Sequence, residues 1–319
     1  MSSYIAWLDN EDNAPTVRVG GKAASLAKLA AAGFPVPVGF AVTVDGYRHF
    51  HEEAGLDHAL HALLALSGRP PMADVRQACA PILELLERAA IPGPVQSAVA
   101  AACQELEARA TPGATFAVRS SGVSEDGASA SFAGLYDSYL NLSGHAAVLD
   151  ALLKCYRCLW EPRAAHYRTI KAVDHAHESM GVVVMETVRS HVSGVAFSLN
   201  PVSGATDEVL INASWGLGES IVSGIVTPDN YITGKDGSIR QKDISEKEVR
   251  IVPVGGGTEK QDTPPELAFA PALTDAQIAD VGRATAAVER HYGVPMDIEF
   301  AYDEAGRFFL LQARPITTR

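Results

Sequence analysis

The stretch MDIEFAYDEAGRFFLLQARPI, residues 296–316, reads as a β-hairpin whose two faces do not match. Two runs rich in β-forming residues flank Asp303-Glu304-Ala305-Gly306, a tight-turn composition. Period-two alternation places Ile298, Phe300, Phe309 and Leu311 on one side, which is core. The other side collects Asp297, Glu299, Gln312 and Arg314: two acids, an amide and a guanidinium on one small surface. A salt-bridged face turned to solvent is one reading of it, and a binding surface is the other.

Composition narrows the choice. The 319 residues are 47% hydrophobic and 20% charged, which is ordinary for a folded globular chain with room for two lobes. A formal charge of −12, from 26 basic and 38 acidic side chains, argues against a broad nucleic-acid or anionic-membrane footprint. Any phosphate site is therefore local. The start, MSSYIAWLDNEDNAP, lacks the basic and apolar regions of a signal peptide, and no apolar run reaches the ~18 residues of a membrane span. A cytoplasmic protein is expected. Cys155 and Cys158 form one C-x-x-C, but without a second pair they read as packing residues on a helix running from His145 to about Thr169.

The texture of the chain changes along its length. Residues 21–33 read as an Ala-rich helix ended by Gly33, after which FPVPVGFAVT turns into a strand. From about residue 45 to 110 the pattern is helical, interrupted at Gly68-Arg69-Pro70-Pro71 and Ile91-Pro92-Gly93-Pro94. Beyond Thr115 come short β-rich segments, TFAVRSS, YDSYLNL, GVVVMETV, GVAFSLN and EVLINASWG, separated by Gly and Ser-rich turns. A helix over about Thr274–Tyr292 and the hairpin close the chain.

Few segments carry chemistry. VRVGGKAASLAKL places Lys22 at a helix start behind two glycines, where free amides, the helix dipole and an ammonium can together hold a phosphate. It is not a Walker A loop, because Thr16 stands where that motif needs glycine and Ala23 follows the lysine. A solvated lysine at a helix start fits equally. Arg119 ends the strand that feeds the small, polar, Gly-rich stretch of residues 120–134, which reads as a surface loop or as a cover for a polyphosphate gripped by the guanidinium. NASWGLGESIVSGIVTPDNY, residues 212–231, has Gly216 and Gly218 before a short helix and reads also as a turn seating Trp215 between lobes.

GGKAASLAKLAAAGFPVPVGFAVT, AVRSSGVSEDGASASFAGLYDSYLNL, SGVAFSLNPVSG, NASWGLGESIVSGIVTPDNY and DIEFAYDEAGRFFLLQARPIT, in this order from Val19 to Thr317, resemble the N-terminal ATP-binding domain of the phosphoenolpyruvate synthase, pyruvate phosphate dikinase and rifampin phosphotransferase family. The resemblance implies an α+β, ATP-grasp-like fold: two lobes with mixed or antiparallel sheets, one over residues 1–180 with the helical insert, the other over 181–319 with the hairpin. It implies ATP and Mg²⁺ as ligands. Lys22, Arg119 and Arg314 then hold phosphates, Gly134 and Ser138 belong to the covering loop, and Met185 and Glu186 border the adenine. Glu299 and Gln312 supply the hard oxygen ligands that Mg²⁺ prefers, beside the charge of Arg314.

Two departures from the family stand out, Met185 where glutamine is common and Ser138 where threonine is frequent. The first removes a base-edge hydrogen-bond group; the second keeps the hydroxyl. In the family ATP phosphorylates a histidine on a swivelling domain, and no segment here resembles its Thr-x-His site, His191 coming nearest. The resemblance therefore implies an ATP-dependent phosphotransferase component acting with a phosphohistidine-carrier domain or subunit, as an excised domain or a separate chain as in phenylphosphate synthase. A self-contained ATP-grasp kinase or ligase and a non-catalytic nucleotide sensor are the other two readings.

Overall fold

The computed structural model describes residues 4–124 and 136–316, and the chain divides into two units, Met1–Ala31 with Val38–Thr187 and Ala32–Pro37 with Val188–Arg319. The first is built on an antiparallel sheet of order β1-β2-β5-β3-β4, from β1 (Ile5–Trp7), β2 (Gly39–Val42), β3 (Phe116–Gly122), β4 (Ser138–Leu142) and β5 (Met180–Glu186). Its helices are α1 (Thr16–Val19), α2 (Gly21–Ala31), α3 (Val44–Glu53), α4 (His61–Leu64), α5 (Met72–Arg88), α6 (Gly93–Arg109), α7 (Gly144–Cys158) and α8 (Pro162–Ile170).

Alternation divides this sheet into two unlike faces. Phe40, Val42, Phe116, Val118, Val182 and Val184 join one large core with Tyr47, Phe50, Ile82, Val95, Leu106, Tyr156 and Trp160 from the helices. Register puts small or short residues on the other face, with Gly39 opposite Met185, Ala41 opposite Val183 and Ser121 opposite Gly181. The α1–α2 corner lies there.

The helical insert is interrupted where the prolines stand, with Pro71 and Pro92 capping α5 and α6. The single helix expected from His145 to Thr169 is two, because Pro162 at the first turn starts α8 afresh after α7 ends at Cys158. Cys155 and Cys158 are buried in α7, and the Cys158 thiol donates to the Cys155 carbonyl at 3.1 Å.

Between α8 and β5 lies a buried polar network. Arg168, fully buried, donates from Nε to His175 Nδ1 at 3.2 Å and from Nη1 to the Tyr136 hydroxyl at 3.3 Å, with Trp160 beneath it. An accepting Nδ1 makes His175 the neutral Nε2–H tautomer, which then donates to Thr169 Oγ1 at 2.9 Å. Burial, followed by the Arg168 charge, pushes the His175 imidazolium down to about 4.

The second unit holds a six-stranded antiparallel sheet of order β13-β12-β6-β7-β8-β9. Its elements are β6 (Ser190–Phe197), β7 (Glu208–Trp215), α9 (Glu219–Val222), β8 (Asp229–Gly234), β9 (Ile239–Asp243), the hairpin β10 (Val249–Val254) with β11 (Gly257–Asp262), α10 (Pro265–Ala268), α11 (Asp275–Tyr292), β12 (Met296–Asp303) and β13 (Phe308–Pro315). The strands β8–β11 and β1 were not legible as strands in the sequence. Segment 32–37 belongs to this unit because the Pro35 carbonyl accepts from Leu310 N at 2.8 Å, on edge strand β13. Helix α11 starts with a capping box, Thr274 and Gln277 bonding reciprocally, and ends at Gly293 in the left-handed region. It contacts β6, β7, β8 and β12.

The hairpin corrects one expectation. Phe300 pairs with Leu310 and Glu299 with Gln312, so Leu311 is an extra residue, a β-bulge. Leu310, fully buried, takes the core place expected for Leu311, while Phe308, half-buried like Phe309 and Leu311, packs its ring against Tyr302 and Phe300 on the core side. The rings of Phe300 and the backbone of β6 meet at Gly194, where a β-carbon would lie 2.4 Å from the Phe300 ring.

A buried ion pair fastens the excursion between β9 and α11 to the sheet. Lys247 and Asp229, both fully buried, meet at 2.7 Å. Asp229 also accepts from Ser245 N at 3.0 Å, Ala272 N at 2.7 Å and the Tyr231 hydroxyl at 2.9 Å, and Lys247 donates to Ser245 O at 2.8 Å. A carboxylate so surrounded depends on its ammonium partner. Lys247→Met should therefore destabilise the second unit by about 3–5 kcal/mol in urea denaturation, through an uncompensated buried charge; a loss under ~1 kcal/mol would contradict this.

For His175, the folded state releases its proton near pH 4 and the unfolded chain near 6.5, so stability is complete above pH 6.5 and falls toward pH 4. The full effect is on the order of 3 kcal/mol. His175→Gln should cost stability at pH 7.5, and the gap to the parent should shrink by about 2 kcal/mol at pH 5. A gap independent of pH would mean that the imidazole is not held neutral.

Candidate functional site

The polar face of the hairpin is assembled as expected. Glu299 stands directly opposite Gln312 and Asp297 directly opposite Arg314 across β12 and β13. Arg314 donates to one oxygen of Asp297, from Nε at 2.8 Å and from Nη2 at 2.6 Å. Asp297 is nearly buried, and burial pushes its carboxyl above the usual range; the nearby Glu299 adds to this while Arg314 opposes it. Asp297 thus orients the guanidinium from beneath. Gln312 is 5% exposed, whereas Glu299 and Arg314 are half-buried with their heads at the surface of the sheet. A carboxylate and a carboxamide side by side are hard oxygen donors for a cation, and a held guanidinium beside them matches a phosphate.

In the first unit a second group of the expected residues comes together around β3. Arg119 pairs with Ser138 on β4 and Val183 on β5, and Met185 lies one pleat along on the same face, opposite Ala117 and Gly39. Lys22, one residue into α2, donates from Nζ to the Ser120 carbonyl at 3.1 Å. The start of α2 is fixed to β3 by Ala23 N donating to Ser121 Oγ at 3.1 Å. Gly20, with φ +80°, permits this: a β-carbon there would lie 1.8 Å from the Ser121 carbonyl oxygen. Ser120 in turn donates from Oγ to the Asp137 carbonyl at 3.0 Å, so one buried serine links Lys22, Arg119 and the strand that carries Ser138.

Not every expected residue joins these groups. Glu186 follows Met185 on β5 and so presents its side chain to the opposite face, where its carboxylate accepts from Thr111 N at 3.4 Å. Met185 is 3% exposed. Gly134 lies outside the described residues. His191 begins β6 with its ring against Trp215, whose indole donates to the Leu267 carbonyl at 2.8 Å.

Three contributors escaped the sequence reading as functional residues: Asp297 as the anchor of Arg314, and Ser120 and Ser121 as the fixings of Lys22 and α2. The adjacent serines after Arg119 were a visible signal, but nothing in the sequence says which faces the helix. Among the described residues no group of three or more His, Cys, Asp or Glu forms a metal cage, and no helix is long and apolar enough to cross a membrane.

Comparison with known proteins follows the same lines. Residues 16–319 match the family described as pyruvate phosphate dikinase, AMP/ATP-binding domain. The chain is 40% identical over 318 residues to a probable phosphoenolpyruvate synthase of Methanocaldococcus jannaschii, covering 99% of this chain and 27% of that protein. To the phosphoenolpyruvate synthase of Pyrococcus furiosus it is 35% identical over 357 residues, covering 99% and 44%. It is 38% identical over 305 residues to the prodigiosin synthesizing transferase PigC of Serratia marcescens, covering 95% and 32%. The chain thus spans less than half the length of these relatives. With the α+β architecture, the antiparallel sheets and the match over nearly the whole sequence, the chain belongs to the pyruvate phosphate dikinase AMP/ATP-binding domain family.

Proposed function

We propose that the chain is the ATP-binding component of a dikinase-type phosphotransferase. It activates the β-phosphoryl group of ATP for transfer to a histidine on a separate domain or subunit, with AMP and inorganic phosphate as the other products. The observation that carries this reading is the hairpin face, Glu299 against Gln312 beside an anchored Arg314, in a chain of a family described as binding AMP or ATP. Similarity to phosphoenolpyruvate synthases and to PigC supports the phosphotransfer and leaves the final acceptor to the partner.

Magnesium fits the residues present. Glu299 and Gln312 offer adjacent hard oxygens, the donor type that Mg²⁺ takes alongside phosphate oxygens and water. Glu299 and Gln312 would hold it, and when bound it would offset charge on the phosphates. The chain's own side chains position and neutralise, and none acts as a nucleophile. Lys22 and Arg119 bind phosphate oxygens on the first unit, with Ser138 at the start of β4 opposite Arg119 rather than in a loop, its hydroxyl the group offered to the phosphates; Arg314 does so on the second, held by Asp297. Met185 and the Glu186 main chain border the adenine, and Met185 offers it an apolar contact in place of a side-chain amide.

Two measurements test this. Glu299 is half-buried at the surface of the sheet, so Glu299→Ala should leave the melting temperature of the free protein within a few degrees. At a Mg·ATP concentration of about 100 Kd the parent gains about 2.7 kcal/mol, and a hundredfold loss of affinity would reduce this to about 0.4 kcal/mol. An undiminished melting shift would refute the assignment of Glu299.

The second concerns turnover. ATP labelled in the β or γ phosphate, incubated with the chain alone, should remain largely unconverted. Adding the phosphohistidine-domain protein should yield acid-labile β-labelled phosphoprotein, AMP and labelled phosphate from the γ position. Sustained phosphorylation of a small molecule by residues 1–319 alone would overturn the proposal in favour of a self-contained kinase.

A further inference from the structure

The register of the second sheet extends the Glu299–Gln312 pair well beyond the hairpin. Gln312 pairs with Glu299, Glu299 with Val195, Val195 with Asn212, and Asn212 with Asn230. Directly opposed residues share a face, so these five form one transverse row across β13, β12, β6, β7 and β8. The row is polar apart from Val195. The opposite face of the same strands is apolar, with Ile298, Ala196, Ile211 and Tyr231 fully buried. Glu299, Val195, Asn212 and Asn230 are all half-buried, so the face holding the row is open to a ligand.

Asn212 is held in one orientation. Its Nδ2 donates to Asn230 Oδ1, and Asn230 Nδ2 donates to the Pro228 carbonyl at 3.4 Å. This relay engages one amide hydrogen of each side chain and does not use the Asn212 carboxamide oxygen, a hard acceptor of the same kind as that of Gln312. Strand spacing places the Cα atoms of Glu299 and Asn212 about 9–10 Å apart, two strands away from each other, with the aliphatic Val195 as the floor between them. That span leaves room for one cation between the Glu299 carboxylate and the Asn212 carboxamide, each reaching it from its own strand. One pleat along, Ser193 and Ser214 face each other across β6 and β7, both 1% exposed, and neither hydroxyl has a hydrogen-bond partner. Buried hydroxyls without a protein partner beside a row of oxygen acceptors are what a bound water or ligand oxygen would satisfy.

We infer that Asn212 is a further cation-binding residue, its carboxamide oxygen completing, with Glu299 and Gln312, the oxygen donors that hold the divalent ion bound with the nucleotide. The inference rests on the nucleotide-binding reading above and goes beyond it by assigning β7 to the site. Asn230 is the positioning residue that turns the Asn212 amide.

Mn²⁺ titrated into the full chain with the β,γ-imido analogue of ATP, followed by electron paramagnetic resonance, reads the ion directly and without turnover. Asn212→Ala should weaken Mn²⁺ binding to the protein–nucleotide complex by about tenfold or more, and should alter the Mn²⁺ line shape. Asn212→Asp keeps an oxygen at the position and should retain affinity within about threefold. Melting curves without nucleotide should match the parent for both. An Asn212→Ala protein with parental Mn²⁺ affinity and line shape would overturn the inference while leaving the nucleotide site standing. If the parent itself holds no Mn²⁺ beyond that bound by the nucleotide in solution, the nucleotide-binding reading falls, and this one with it.

Discussion

A single extra residue on strand β13 decides whether the second unit gathers its polar hairpin residues on one face. From the turn at residues 303–306, pairing runs Tyr302 to Phe308, Ala301 to Phe309 and Phe300 to Leu310. Continued unbroken, it would set Glu299 against Leu311 and turn Gln312 and Arg314 toward the apolar side. The bulge at Leu311 shifts the register by one, so Gln312 meets Glu299 and Arg314 meets Asp297. The turn end of the hairpin thus keeps Phe308, Leu310 and Phe300 on the core side, while the far end delivers four polar side chains to one surface. The row from Glu299 through Val195 to Asn212 is set by the pairing of β12, β6 and β7, and the bulge adds Gln312 to it.

The first unit solves a related problem by size. Its sheet carries bulky residues on the side covered by the helical insert and small ones on the side where α1 and α2 lie. Close approach is possible because Gly20 has no side chain to meet the Ser121 carbonyl, and Ser121 then bonds the first turn of α2. Lys22 is thereby carried to Ser120, beside Arg119 in the middle of β3, which runs on to Gly122 instead of ending at Arg119 as the sequence suggested. The arrangement of two cations and a serine along one strand is a packing consequence of that close helix–strand approach.

Both units also bury charge, and both surround it. Arg168 sits among Tyr136, His175 and Trp160, and Asp229 among four donors including Lys247. Such groups cost desolvation, and their value is that few other arrangements satisfy them. They hold segment 171–179 and the excursion 244–273, with its hairpin β10–β11 and α10, to sheets whose strands carry the candidate site. Within each sheet, register sets the charges and oxygens of the candidate residues in fixed order.

Much of this was legible in the sequence. The helical insert with its proline breaks, the Ala-rich α2 ended by Gly33, the capped α11 and the alternation of the hairpin each follow from local rules of capping, φ restriction and period. Lys22, Arg119, Glu299, Gln312 and Arg314 were singled out from their local context and family resemblance. Strands β8–β11 were not, because their sequences, such as IRQKD and GTEKQD, carry charge on exposed edges and lack the apolar alternation that marks a strand. The bulge at Leu311, the anchoring of Arg314 by Asp297 and the alignment of Asn212 with Glu299 were decided only by tertiary structure. Each depends on which residues oppose one another across strands far apart in the chain, and pairing register over such distances is set by the burial of a whole sheet face, which no short window of sequence contains.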